Sequence, residues 1–351
     1  MATLSRDPKV IQLAKDLGLP FRGDCLTVIR EFALKQVDQI IVDSVIPIES
    51  LELLRRIVAD KYGIRLEFIY QDSDVERIVS AYADFHSLLH TRLNDEFIKG
   101  DTEGITLERE NWDGRLLHLL AVIDARGARL ARAYFTAWHE VTHLIIHPEQ
   151  LPIPGFRRTP KRAEIKNPIE KVVDHIAGKL AFYPAYFQPA LKSAIAEHGG
   201  LTFPAIETAR DTAAPSASLF ATTMGSIGHA TKAMVFVAAE MALKAEERRQ
   251  LRSTQQTFSF VAPIGQPKLR VPTVVPNELA IAAQIGIRPN MRVPQNSVLA
   301  LAHESSDDIV LNADEDQCWW ESSKGGYLPS LPIHVHAVKR GAFVYGLISL
   351  A

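Results

Sequence analysis

The residues best suited to chemistry in this chain are His139, Glu140 and His143, in the string HEVTH. On a helix, positions four apart share a face. Imidazoles at 139 and 143 can therefore reach one metal ion. The glutamate beside the first can act as a base towards water activated by that ion, which is the HExxH pattern of a zinc peptidase. The segment from Ala131 to His147, ARAYFTAWHEVTHLIIH, has helical spacing. Phe135, Trp138, Val141, Thr142, Leu144, Ile145 and Ile146 leave it little polar surface, so it belongs inside a domain.

A catalytic zinc takes three protein ligands and keeps a fourth position for water. The metzincin continuation needs Gly at 146 and His at 149; this chain has Ile146 and Glu149. His147, eight residues after His139, does not complete a tetrahedral site easily and reads as a helix-end histidine at the negative end of the dipole. The gluzincin alternative takes a carboxylate from a second helix, and Glu164, Glu170 and Asp174 qualify. Pro168 opens a helix over about 168–182, with Ile169, Val172, Val173, Ile176, Ala177 and Leu180 at helical spacing. Glu170, near its start, is the best candidate ligand. Asp174, one turn on, can accept the spare N–H of a ligand histidine and fix its tautomer. An oxyanion stabiliser is also needed, and Tyr134, His175 and Tyr183 are the candidates. An extended substrate would add to a strand edge, for which the segment 116–123 is the choice.

These residues must be positioned by the rest of the chain. Helices are expected over 8–18, 26–43, 49–62 and 74–99, and strands over 64–70, 104–109 and 116–123. The loop after His147 carries a basic cluster at Arg157, Arg158, Lys161 and Arg162, read as solvated. A helix over 186–198 ends at Gly199-Gly200. Residues 204–251 read as several short helices, including SASLFATTMGSIG and ATKAMVFVAAEMALKAEERRQL, and 252–276 as a polar, Pro-rich connection. Beyond 279 the β-like pieces are SVLALAHE, PIHVHAVKR and AFVYGLIS. His334 and His336 fall on one side of a strand. The expectation is an α+β fold, mostly helical, in three parts: a domain over 1–200 that holds the site, a helical region over 201–252 and a β-rich domain over 253–351.

Bulk composition narrows the function. The 351 residues contain 47% hydrophobic and 23% charged residues, ordinary for a globular chain. A net charge of -2 argues against broad nucleic-acid binding. Only Cys25 and Cys318 are present, too few for a disulfide framework or a cysteine-based metal site. The N-terminus has no apolar signal-peptide core, and the longest apolar runs, 116–123 and 233–243, are too short to span a bilayer. The chain reads as cytoplasmic, with no membrane partner.

Two blocks resemble the ImmA/IrrE family of metallopeptidases. ARAYFTAWHEVTHLIIH is similar to the family's Arg, Phe-Thr and HExxH run ending in His. IEKVVDHIAGKLAFYP is similar to its Glu, Asn or Asp four later, small residues and apolar stretch into Pro. APSASLFATTM is similar to the start of its helix-turn-helix-like region. The resemblance covers about 130–225. The chain departs from it in Trp138, where the family has a small residue, in the long helical segment 74–99, and in one extra residue before Pro184. The resemblance implies a thermolysin-like zincin core with zinc or manganese on His139, His143 and Glu170, Glu140 as catalytic base, and Asp174 on the family's Asn/Asp position. It also implies an endopeptidase that cuts a helix-turn-helix transcriptional repressor and so releases stress, DNA-damage or mobile-element genes. The alternative is a non-proteolytic regulator on the same scaffold. In either case the C-terminal domain would be the place for a small-molecule or protein effector.

Overall fold

The computed structural model describes residues 4–86, 89–98, 102–110, 118–146, 155–158, 167–244, 247, 266–322 and 325–351. It is a mixed α+β protein with two sheets, about half of the described residues being helical. The chain divides into two compact units, Met1–Ala190 with Ala209–Ala221, and Leu191–Thr208 with Thr222–Ala351. None of its helices is long and apolar enough to cross a membrane, among the described residues.

The first unit is built on a four-stranded sheet of β1 (Ile64–Ile69), β2 (Thr102–Glu108), β3 (Leu119–Asp124) and β4 (Gly155–Arg158), in the order β1-β3-β2-β4. β1 runs parallel to β3, whereas β2 is antiparallel to both β3 and β4. With it stand α1 (Pro8–Asp16), α2 (Cys25–Asp43), α3 (Leu51–Lys61), α4 (Ser73–Ala81), α5 (Leu89–Ile98), α6 (Leu130–Ile146) and α7 (Pro168–Ala181), and the division between the units falls within α8 (Pro184–His198). Helix starts follow their side chains: Asp7, Asp24, Ser50 and Asn167 each accept a bond from a first-turn amide. One face of the sheet buries Ile105, Leu107, Leu120 and Val122 against Val75, Ile78, Leu89 and Leu93 of α4 and α5. The other packs Ile123, Leu66 and Phe68 against Ala133 and Ala137 of α6.

Gly104 matters to this packing. A Cβ there would lie 3.1 Å from Thr136 Cγ2, so the glycine lets β2 approach α6 closely. At the top of β3 the buried Asp124 accepts the Arg126 backbone N–H at 3.0 Å and the Arg126 guanidinium at 2.8 Å, and Arg129 as well. Burial opposes its ionisation, but these bonds prevail and hold its carboxyl below the usual range. The turn they fix sets where α6 begins.

α9 (Phe203–Ala213) and α10 (Leu219–Ile227) follow α8. The second sheet contains β5 (Met234–Ala242), β6 (Lys268–Pro276), β7 (Val310–Asp316), β8 (Pro332–Arg340) and β9 (Phe343–Leu350), in the order β6-β5-β9-β8-β7 with every pair antiparallel. α11 (Glu278–Ala282) and α12 (Val298–Glu304) contribute Ala280, Leu299 and Ala302 to a core with Val235, Val237, Val335 and Ile348.

Four expectations are corrected. Residues 234–242, placed in the helical region over 201–252, are strand β5; hydrogen-bonded partners on both sides outweigh the helix-forming Ala, Met and Glu of AMVFVAAEMAL. SVLALAHE is not β-like: Ser297 caps Leu299 N and the segment is α12. The stretch 74–99 is two helices, α4 and α5, not one. Of the segment 116–123, the part described as β3 offers no edge to a substrate, because β3 is hydrogen-bonded to β1 on one side and to β2 on the other. His147, Lys161, Arg162, Glu164 and all of 248–265 lie outside the described residues; Arg157 and Arg158 fall on β4.

Candidate metal centre

Helices α6 and α7 pack together and bring the predicted ligands to one point. His139 is buried at 3% exposure, one turn before the half-buried His143. Glu170 stands in the first turn of α7, where Asn167 caps Ile169 N and the helix dipole favours a carboxylate. His139 Nε2 lies 3.2 Å from Glu170 Oε2, and His143 Nε2 lies 3.5 Å from Glu170 Oε1. The two Nε2 atoms are 3.1 Å apart, with the rings edge to face.

These separations test whether an ion fits. Tetrahedral zinc with bonds of about 2.05 Å sets neighbouring ligand atoms about 3.3 Å apart. The 3.1 Å between the two Nε2 atoms and the 3.2 Å from His139 Nε2 to Glu170 Oε2 have that size, and the 3.5 Å from His143 Nε2 runs to the other carboxylate oxygen, Oε1. Two imidazoles and one carboxylate are also the donor set of a His₂Glu zinc site. Among the described residues this is the single group of three or more His, Cys, Asp or Glu side chains drawn so close. The adjoining imidazoles of His139, then His143, hold the Glu170 carboxyl below its usual range against the opposing effect of burial.

Asp174 sits where the reading of the helix puts it. Its Oδ1 is 3.0 Å from His139 Nδ1. A carboxylate there keeps the proton on Nδ1 and leaves the Nε2 lone pair facing Glu170 and His143. Glu140 points from the same helix towards the sheet and is 6% exposed. The Thr106 hydroxyl, on β2, donates to its Oε2 at 2.7 Å. Thr106 is a site residue that the motif did not reveal: only the alternation of GITLER places its side chain on a definite face of a strand, and nothing local links that strand to α6.

The three candidates for oxyanion stabilisation are engaged elsewhere or point into the fold. The Tyr134 hydroxyl donates to the Ala181 carbonyl at 2.6 Å and ties α6 to the end of α7; burial raises its pKa. The Tyr183 hydroxyl bonds Asp38 of α2, and burial raises it too. His175 has a buried Nε2 without a partner, and burial, then Arg30 and Lys179, lower its pKa. None belongs to the group around Glu170.

Two other histidine pairs fall outside this centre. His334 Nδ1 lies 2.5 Å from Asp314 Oδ1 and its ring is 4.6 Å from that of His336, on one side of β8 as expected. With Asp314 they do not form a group close enough to hold an ion, among the described residues. His86 pairs with Glu110 at 3.3 Å and precedes α5, in which His90 stands. No protein-family model matches the chain, and no curated protein matches it either.

Proposed function

We propose that the chain is a zinc-dependent endopeptidase of the ImmA/IrrE kind, with a zincin core in the first unit. The observation that carries the reading is the triangle of His139, His143 and Glu170 at ligand spacing, with Glu140 held by Thr106 beside it. A bound zinc, or manganese, would supply a Lewis acid that acidifies water and polarises the scissile carbonyl. Glu140 takes a proton from the attacking water and delivers it to the leaving amine. Thr106 keeps that carboxylate in one orientation. Asp174 holds His139 in the tautomer that binds metal.

Because β3 is interior, an extended substrate adds to the sheet at β4, whose Gly155 pairs with Thr106. The substrate class, a helix-turn-helix repressor, follows from the sequence resemblance, as does a helix-turn-helix-like role for α9 and α10. The test is co-expression with a repressor encoded beside this chain. The native protein cleaves it, whereas Glu140→Gln binds one equivalent of zinc and leaves it intact. Cleavage by Glu140→Gln at the native rate would overturn the mechanism.

A further inference from the structure

The edge of the first sheet farthest from Thr106 carries a second recognition feature. Among the described residues, β1 is hydrogen-bonded on one side alone. Gly63 O accepts from Leu119 N and Ile69 O accepts from Ala125 N, so residues of odd number face β3. The N–H and C=O groups of Ile64, Leu66 and Phe68 therefore point outward, because strand residues alternate. The Phe68 carbonyl meets Arg77 at 3.4 Å and Ile64 is buried, so the outward groups open to a ligand are those of Leu66, which have no partner among the described residues.

These residues line a groove of about 510 Å³ between β1 and α3. At its wall Arg55 is 8% exposed. Its guanidinium carbon lies 5.4 Å from the Phe68 ring and 5.3 Å from the Tyr134 ring. Its single hydrogen bond is a 3.5 Å approach to the Tyr134 carbonyl, and it forms no ion pair among the described residues. Glu52 lies near enough to favour the charged form but makes no direct ion pair with it, so a ligand carboxylate would complete a costly buried cation. Arg56 and Arg65 also line the groove, with Glu52 and Asp60, and Arg65 is paired with Glu67 at 3.7 Å, so Arg55 is the cation left for a ligand. One Glu52 oxygen accepts from Ser216 N, and the other is buried and unpartnered, a ready acceptor for an amide.

We infer that this groove binds an extended peptide, which adds as a strand to the free edge of β1 and delivers an acidic side chain to Arg55. The paired features select that occupant. A lone anion would satisfy Arg55 but leave the outward N–H and C=O of Leu66 unmet, whereas an extended peptide satisfies both. β1 and β4 are opposite edges of the sheet, so the groove is separate from the edge at the metal centre. It is suited to capturing a flanking segment of a protein partner.

The test uses the full chain and two short fluorescent peptides of Thr and Val, one with a central Glu and one with Gln, read by anisotropy with and without a chelator. The Glu peptide is expected to bind at least about tenfold more tightly than the Gln peptide, since a charge-assisted bond to Arg replaces a neutral one. Chelation leaves that difference in place, so the groove is tested independently of the proposed peptidase. Methylating alternate peptide nitrogens is decisive: one set abolishes binding and the other does not, because every second amide faces β1. Arg55→Met removes the preference for Glu with zinc affinity unchanged. If that variant fails to fold, the peptide series on the native chain still decides. Equal binding of Glu and Gln peptides, indifference to which nitrogens are methylated, or full displacement by glutarate would overturn the proposal, the last pointing to a small-anion pocket.

Discussion

Asp174→Ala is the sharpest probe of the centre, because it removes no ligand. The Asp174 oxygen sits 3.0 Å from His139 Nδ1, and the His139 side chain is 4% exposed against 24% for Asp174. Water has little access to Nδ1, so it replaces the lost acceptor poorly. Removing such a partner weakens metal binding by about 10–100-fold, or about 1.4–2.7 kcal/mol. The burial of His139 puts the expectation in the upper half of that range. Asp174→Asn keeps an oxygen acceptor and loses the charge, so it falls between native and alanine. Glu170→Gln, which replaces an anionic ligand, falls below both. The assay is zinc competition against a fluorescent chelator, with circular dichroism to show that each variant is folded. Affinity of Asp174→Ala within about twofold of native would refute the argument that this carboxylate sets the tautomer. Asp174→Asn binding more weakly than Asp174→Ala would refute it equally.

Thr106→Val keeps the shape of the side chain and deletes the donor to Glu140. A bond to a buried charged group contributes about 1.5–3 kcal/mol, so peptide hydrolysis is expected to slow by about tenfold or more with zinc affinity unchanged; native turnover in a cleavage assay would exclude a role for Thr106. Gly346→Ala would place a Cβ 2.7 Å from both Leu299 Cδ2 and Val237 Cγ2 in the core of the second unit. Thermal unfolding should report a loss of about 1–3 kcal/mol from overpacking, while zinc titration is unaffected. Asp24 caps α2, and bonds from the Ser5 hydroxyl and then Thr27 lower its carboxyl from 3.8 to about 2. Its folded value lies below its unfolded one, so the stabilisation is complete above about pH 4 and is lost as pH falls through 2. Asp24→Asn should keep the cap and flatten stability against pH between 4 and 2, measured by urea unfolding.

What was legible in the sequence follows the range of the interactions involved. His139 and His143 are four residues apart, so a helix alone makes them neighbours. Glu170 and Asp174 require a second helix, and that helix announces itself through Pro168, the Asn167 cap and an apolar stripe. One packing contact between two well-marked helices is enough to assemble the triangle. Thr106 is 34 residues from Glu140, and it reaches the site only because β2 pairs with β3 and Gly104 admits α6. Neither condition is written near either residue. The same reasoning accounts for AMVFVAAEMAL: its composition favours a helix, but its place between β6 and β9 is decided by partners that follow it in the chain. Segment 116–123 was legible as a strand and not as an interior one, since edge or interior is a property of neighbours. By that logic the free edge of β1 could not have been read from IRLEFIY. It becomes visible only when the register shows which amides β3 leaves unused and the fold sets Arg55 beside them.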